Sequence, residues 1–353
     1  MRALLPLLLL IAAPCALARQ TERSLQPPAP EFPAQAVWLN ARDLSMARLR
    51  GKRVVLVAFL NSMNINSLRA MSALKAWDQR YGLDGLMIIG VHTPEYSFQK
   101  NPAAMKEAFR SIGVQFPIVL DNERLVWKAY ANDGWPAFYL IDRKGRVVFD
   151  RLGEGGYEEL EEEIRAQLQD LTGVVDASPP TVVDPPAVGG ECGEITPEVG
   201  VGSQRGAKII DMDAGEVPES MLLVTERQGE LSTRGRWMLE PEYLRLNQQN
   251  ADLAAFTRVV YRGAQGFGVL GRGEGGPTKF WVRQDDLWLD STSAGKDIRF
   301  DEERRSYVSV DTPRFYDLVR NPNDNLHELI IIPLRIGGRI YGFSFNNKCL
   351  RVD

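Results

Sequence analysis

The sequence predicts two globular units, an α/β domain followed by an all-β domain of sandwich or jelly-roll type. Three observations carry this expectation. Residues 54–171 alternate short, continuous apolar runs with amphipathic stretches, the pattern of a buried, mostly parallel sheet flanked by helices. From residue 205 onward, short runs such as KIIDM, SMLLVT, TRVVYR, TKFWVR, SYVSVD and ELIIIPLR are separated by Gly, Pro and Asp, with little helical periodicity. Between them, residues 172–191 hold four prolines and many small residues without any period, the composition of a semi-rigid linker. A chain of 353 residues is long enough for two such domains.

The elements follow in order. Met1-Arg2, the apolar residues 4–13 and Ala16-Leu17-Ala18 form a secretory signal pattern, with cleavage expected after Ala18. The apolar run is too short for a membrane anchor, and Pro14 before Cys15 fits a lipobox poorly. No other segment approaches spanning length, so an exported protein without an integral membrane segment is expected, periplasmic or secreted. Residues 19–35 read as a flexible leader. Within the α/β domain, residues 36–171, strands are expected at 54–60, 86–91 and 116–121, with a hairpin of 137–142 and 146–150 around Arg143-Lys144-Gly145. Helices are expected at 64–81, 101–113, 122–131 and 157–171, the acidic run in 158–163 being the solvated face of the last. This order, β-α-β-α-β-α-β-β-α, is that of a thioredoxin fold with the insertion usual in its TlpA-like group. In the all-β domain, residues 192–353, the final runs around Gly337-Gly338 read as a hairpin with a two-residue turn. "GRGEGG" (271–276) lacks a strand-turn-helix context and reads as a sandwich loop.

Composition narrows the function classes. A net charge of −4 argues against nucleic acid as a partner. Loss of Cys15 with the signal leaves Cys192 and Cys349, which in an oxidising compartment either pair, stapling the two ends of the second half, or remain two unrelated buried thiols. With two cysteines and two histidines (His92, His327) scattered along the mature chain, no zinc site of ordinary spacing is expected, and no cofactor is implied. Neither G-x-S-x-G, nor a P-loop, nor H-E-x-x-H occurs.

The informative stretch is "FLNSMNINSLRAMSAL" (59–74). It runs from an apolar strand through a polar turn into a helix, the position at which a thiol–disulfide oxidoreductase carries C-x-x-C. Such an enzyme needs a thiolate lowered in pKa by the helix N-terminus, and a second thiol to resolve the mixed disulfide. Asn64 and Ser67 stand there instead, and neither an amide nor a hydroxyl has a thiol redox couple. "WPAFYLID" (135–142) supplies the X-Pro step at which such folds place a cis-proline, Pro136, facing the turn. Asn64 itself suits the N-cap of the following helix.

"NINSLR", "IIGVHTPEY" and "GWPAFYLIDRKGR" resemble the extracytoplasmic part of DipZ-type proteins. "ITPEVGVG" (195–202), "GRWMLEPEY" (235–243), "RFYDLV" (314–319) and "HELIIIPLR…IYGFSF" (327–345) resemble that family's carbohydrate-binding-module-like C-terminal domain. The resemblance covers about residues 36–345. Two departures matter: the family's cysteines fall on Asn64 and Ser67, and its membrane-embedded electron-conducting domain is absent from this sequence. The resemblance implies fold and domain order rather than reductase activity.

The function expected is therefore a redox-inactive thioredoxin-like binding or scaffold protein, with an extended peptide, a glycan, or both as ligand. Binding positions are Asn64, Asn66 and Ser67 at the turn, His92 and Glu95 in the following loop, and Trp135 and Pro136. Trp237, Tyr261, Trp281 and Trp288 are candidate sugar-stacking rings, each competing with a core role. His92 with Glu95 also reads as a loop-stabilising pair, and His327 as a structural hydrogen-bonder. The alternatives are an oxidoreductase working through other thiols, a hydrolase using Ser67 with His92, and a purely structural envelope protein.

Overall fold

The computed structural model describes residues 27–181, 194–206, 209–213, 228–273 and 275–347. The signal segment, the later part of the linker, the run SMLLVT, and Cys15, Cys192 and Cys349 lie outside the described residues.

The α/β domain is a six-stranded sheet in the order β1-β4-β3-β2-β5-β6. Its strands are β1 (Val37–Leu39), β2 (Val54–Leu60), β3 (Leu86–His92), β4 (Ile118–Leu120), β5 (Ala137–Ile141) and β6 (Val147–Leu152). Strands β2, β3 and β4 run parallel, whereas β1, β5 and β6 are antiparallel to their neighbours. Every residue of β2 is buried because it serves two cores. Val54, Leu56, Ala58 and Leu60 face one cluster, while Val55, Val57 and Phe59 face the other, as a central strand of period two requires.

The helices are α1 (Met46–Leu49), α2 (Ile65–Tyr81), α3 (Pro102–Ser111), α4 (Leu125–Ala129) and α5 (Tyr157–Thr172). The sequence signals did not mark β1 or α1, whose three and four residues are too short to show a period. Helix α3 opens as read: Pro102 takes the first position, and the Asn101 side chain accepts from the Ala103 and Ala104 N–H groups.

The acidic run of α5 is not uniformly solvated. Glu161 is 2% exposed and accepts from Trp77 Nε1 (3.2 Å), Tyr81 OH (2.5 Å) and the Thr181 N–H (2.9 Å). One turn of that face is spent binding α2 and pinning the start of the linker. Arg80 and Arg165 also reach Asp176 there.

The C-terminal region is all-β, an open two-sheet sandwich. One sheet orders Trp237–Leu239, Leu244–Leu246, Arg339–Asn346, Gln265–Gly271 and Arg314–Arg320. The other orders Ile298–Phe300, Ser306–Val310, Thr278–Gln284, Leu326–Pro333, Phe256–Arg262, Leu231–Arg234 and Ile209–Asp211. Tyr261, Phe280, Leu318 and Phe343 meet in the core between them.

The hairpin expected around Gly337-Gly338 does not form. Strands 326–333 and 339–346 lie in opposite sheets, and the connection between them crosses the sandwich. Backbone bonds from Gly337 N–H to Leu246 O and from Leu246 N–H to Gly338 O tie it to a different strand. A Cβ on Gly338 would sit 2.7 Å from Pro333 Cβ, so the glycine serves close packing there.

The outer face of the 339–346 and 265–271 strands does not meet solvent. Val269 and Tyr341 belong to the same buried cluster as Met63, Met71, Tyr96 and Phe109 of the α/β domain. The sandwich is thus packed against the end of the sheet that bears the polar turn.

Candidate functional site

Strand register gathers the predicted positions at one end of the α/β sheet. Leu60 pairs with His92 in the parallel ladder, and Phe59 pairs with Ala137, which places Pro136 beside the exit of β2. The turn carrying Asn64–Ser67 leaves from that exit, at the C-terminal ends of parallel strands where ligands of open α/β sheets collect. The Trp135–Pro136 peptide is cis. Pro136 is buried, and its carbonyl accepts from the Gly153 N–H (2.8 Å), while Trp135 packs on Trp127 with ring centroids 4.8 Å apart.

The turn is closed upon itself. Asn64 Oδ1 accepts from the Ser67 N–H (3.0 Å), making Asn64 the N-cap of α2. Ser67 Oγ, fully buried, accepts from the Asn61 N–H (3.1 Å). Asn61 Oδ1 in turn takes the Met63 N–H (2.9 Å) and Gln99 Nε2 (2.6 Å), and Gln99 Oε1 takes the Glu95 and Tyr96 N–H groups. This chain of neutral groups satisfies buried backbone donors that would otherwise be costly. Sequence reasoning missed Asn61, which lies in the turn itself, and Gln99, because nothing local marks an amide as the partner of a turn 38 residues away.

His92 is wholly buried, edge-on to Phe109 at 5.4 Å. Burial pushes its pKa down to about 4, the backbone of Leu60 and Gln99 offsetting this only in part, so the ring is neutral at physiological pH. Neither the His92–Glu95 loop pair nor a Ser67–His92 hydrogen bond is formed among the described residues.

Glu95 instead faces the other domain. It pairs with Arg205, whose guanidinium also lies 4.9 Å from the Tyr96 ring centroid and 3.4 Å from Glu198. Partial burial of its side chain, which stays 28% exposed, and the nearby Glu95 charge push the Glu198 pKa up to about 7. Beside this cluster, Tyr341 packs edge-on against Tyr96 (5.2 Å) and Phe98 (5.1 Å), and Ser97 N–H and Oγ donate to Glu242. On the other flank, Arg69 bonds Asn66, Glu154 and Asn346 with its side chain 8% exposed. Arg69 lies within the "NINSLR" motif, yet its partners in loop 153–156 and in the last strand appear only when the chain is folded.

The proposed sugar-stacking rings divide. Tyr261 is fully buried, stacked on Phe345 at 4.5 Å and bonded through its hydroxyl to Gln284 and Asn321, so neither face is open to a ligand. Trp281 is 5% exposed beneath Arg305 and Lys279. Trp237 and Trp288 are half-buried and keep ring surface at the boundary with solvent. His327 holds Asp285 through Nδ1 (2.6 Å), a structural contact of the kind expected. Among the described residues no group of three or more His, Cys, Asp or Glu is placed to hold a metal, and no helix is long and apolar enough to cross a membrane.

Comparison with known proteins agrees with this two-part organisation. Residues 25–149 match the AhpC/TSA family, and residues 196–346 match the family described as a thioredoxin like C-terminal domain. The protein DipZ of Mycobacterium bovis and that of Mycobacterium tuberculosis are each 35% identical to the chain over 222 residues, 60% of its length. The matched region is 31% of those relatives, so the chain corresponds to about a third of them. The thiol-disulfide oxidoreductase YkuV of Bacillus subtilis is 26% identical over 144 residues, covering 41% of this chain and 96% of YkuV. A crystal structure of a putative thiol:disulfide interchange protein DsbE from Chlorobium tepidum aligns with 40% of the chain and 96% of its own, at 21% identity and a TM-score of 0.35. The two family matches give a thioredoxin-like domain followed by a region of the thioredoxin like C-terminal domain type.

Proposed function

We propose that this protein is an exported, redox-inactive thioredoxin-like binding protein whose two domains act as one ligand-holding body. One observation carries the reading. The positions that would bear two thiols hold Asn64 and Ser67, whose oxygens are taken by the turn's own backbone donors. Neither group can ionise usefully near neutral pH or exchange with a disulfide. The packing of the sandwich against this end of the sheet supports a binding role, because it builds walls from both domains beside the turn. The ligand classes are an extended peptide near the turn and a glycan at half-buried rings such as Trp288.

Insulin reduction by dithiothreitol tests the reading directly. The full chain should add nothing to the uncatalysed rate, while the Asn64→Cys/Ser67→Cys variant should accelerate it if the scaffold alone survives from a redox ancestor. Wild-type catalysis that disappears on Cys192→Ser or Cys349→Ser would instead make the protein an oxidoreductase acting through those thiols.

A further inference from the structure

A cleft of about 670 Å³ lies where the two domains meet, within the size range of pockets that hold small ligands. One wall is the face of α3 formed by Asn101, Ala104, Ala108 and Ser111. Met63, which immediately precedes Asn64, forms the floor with Met105 and Phe98. The opposite wall is the Asp311–Arg314 turn of the sandwich. Neither domain makes this cleft alone.

We propose that the cleft binds a short extended peptide segment presenting an apolar side chain next to a basic one. The proposal rests on the reading of the chain as a binding protein and names the ligand of that body.

Length supports a peptide. Helix α3 has ten residues, so the wall it provides is about 15 Å long, enough for about four or five residues of extended chain. Lining chemistry supports the apolar side chain. Ala104 and Ala108 leave space along the wall, and two unbranched thioethers make a floor that adapts to different apolar shapes. Met105 is steadied by Ser62, whose hydroxyl lies 3.8 Å from its sulfur.

Charge supports the basic residue. The Arg314 guanidinium is already held by both oxygens of Asp297 and lies 3.8 Å from the Tyr316 ring centroid. Glu107 is paired with Arg110 at 2.6 Å. Asp311 accepts from neutral donors, the Thr312 N–H (2.8 Å) among them, and although its charge favours that of Arg314, it makes no ion pair within 4 Å among the described residues. A lysine or arginine on the ligand would complete that wall, giving both attraction and direction.

Fluorescence anisotropy with the full chain tests this, using fluorescein-labelled Gly-Ala-Leu-Lys-Ala-Gly and its Lys→Glu counterpart as probes. The lysine peptide should bind at least about tenfold tighter than the glutamate peptide. Ala104→Trp, at an exposed position on the cleft wall, should weaken binding by a similar factor, whereas Ala103→Trp, exposed but outside the cleft, should not. Asp311→Lys should reverse the preference. Binding of neither peptide, equal binding of both, or indifference to Ala104→Trp would each overturn the assignment. Insulin reduction by the wild type would overturn the binding-protein reading itself, so the two failures are separable.

Discussion

Two carboxylates, Glu161 in the thioredoxin-like domain and Glu198 in the sandwich where it meets that domain, settle into opposite charge states. Burial works against the charge of Glu161, yet hydrogen bonds from Tyr81, Thr181 and Trp77 outweigh it and hold its pKa below the ordinary value. Glu198, at the domain junction, keeps 28% of its side chain exposed, and its partial burial beside a second carboxylate, Glu95, is not offset by the single nearby Arg205, so its pKa rises. The contrast teaches that the number and kind of donors, not depth alone, set the charge state. It also separates a joint that requires a charge from one that tolerates its loss.

The largest expected effect breaks the first joint. Glu161→Ala should cost about 4 kcal/mol, because three donors from α2 and the linker lose their acceptor in the interior. Thermal unfolding would show it, and Glu161→Gln should retain part of the stability. Because the folded pKa of Glu161 is depressed, its contribution is present above the unfolded carboxylate range and is lost as pH falls through the folded value. The wild-type melting temperature should therefore drop more steeply in acid than that of Glu161→Gln.

The second joint gives a smaller effect of opposite sign in pH. With its folded pKa raised, Glu198 contributes stability that is complete below the unfolded value near 4.5 and declines as pH rises toward about 7. Glu198→Gln should flatten the melting temperature across that window. An unchanged slope would show that Arg205 compensates both carboxylates.

The smallest effect concerns the neutral network between these joints. Ser67→Ala leaves the buried Asn61 N–H without an acceptor and should cost about 1–2 kcal/mol by denaturant titration, with no pH dependence. A pH-dependent loss would mean that His92 titrates with the turn, contrary to its isolation from Ser67.

Much of this was legible before folding was considered. The all-apolar run 54–60 could only be a central strand, and its place before a polar turn and helix located the absent dithiol. The helix starts at Asn64 and Asn101-Pro102 were equally clear, since capping chemistry is local. Residues 27–35, expected within a flexible leader, instead lie along the sheet edge, with Ala29 N–H bonded to Gly145 O and Phe32 buried. Two further errors share one cause. A Gly-Gly step between two apolar runs signals a hairpin, but whether the flanking strands pair or face each other across a sandwich depends on neighbours elsewhere in the chain. Likewise the acidic stretch of α5 looked solvated because charge patterning cannot show that one glutamate meets Trp77, Tyr81 and Thr181.

The sequence by itself determined most elements of the α/β domain and their order, short β1 and α1 apart, and the absence of sulfur from the Asn64–Ser67 turn. These follow from side-chain chemistry and short-range periodicity. Only the tertiary structure decided what that turn became. It brought Gln99 beneath Asn61, set Arg205 against Glu95 and Arg69 against Asn346, and laid the sandwich along α3 to open a cleft beside Met63. Such contacts join residues dozens to hundreds of positions apart. They are selected by shape and desolvation in the packed chain, for which no local pattern in the sequence stands as a sign.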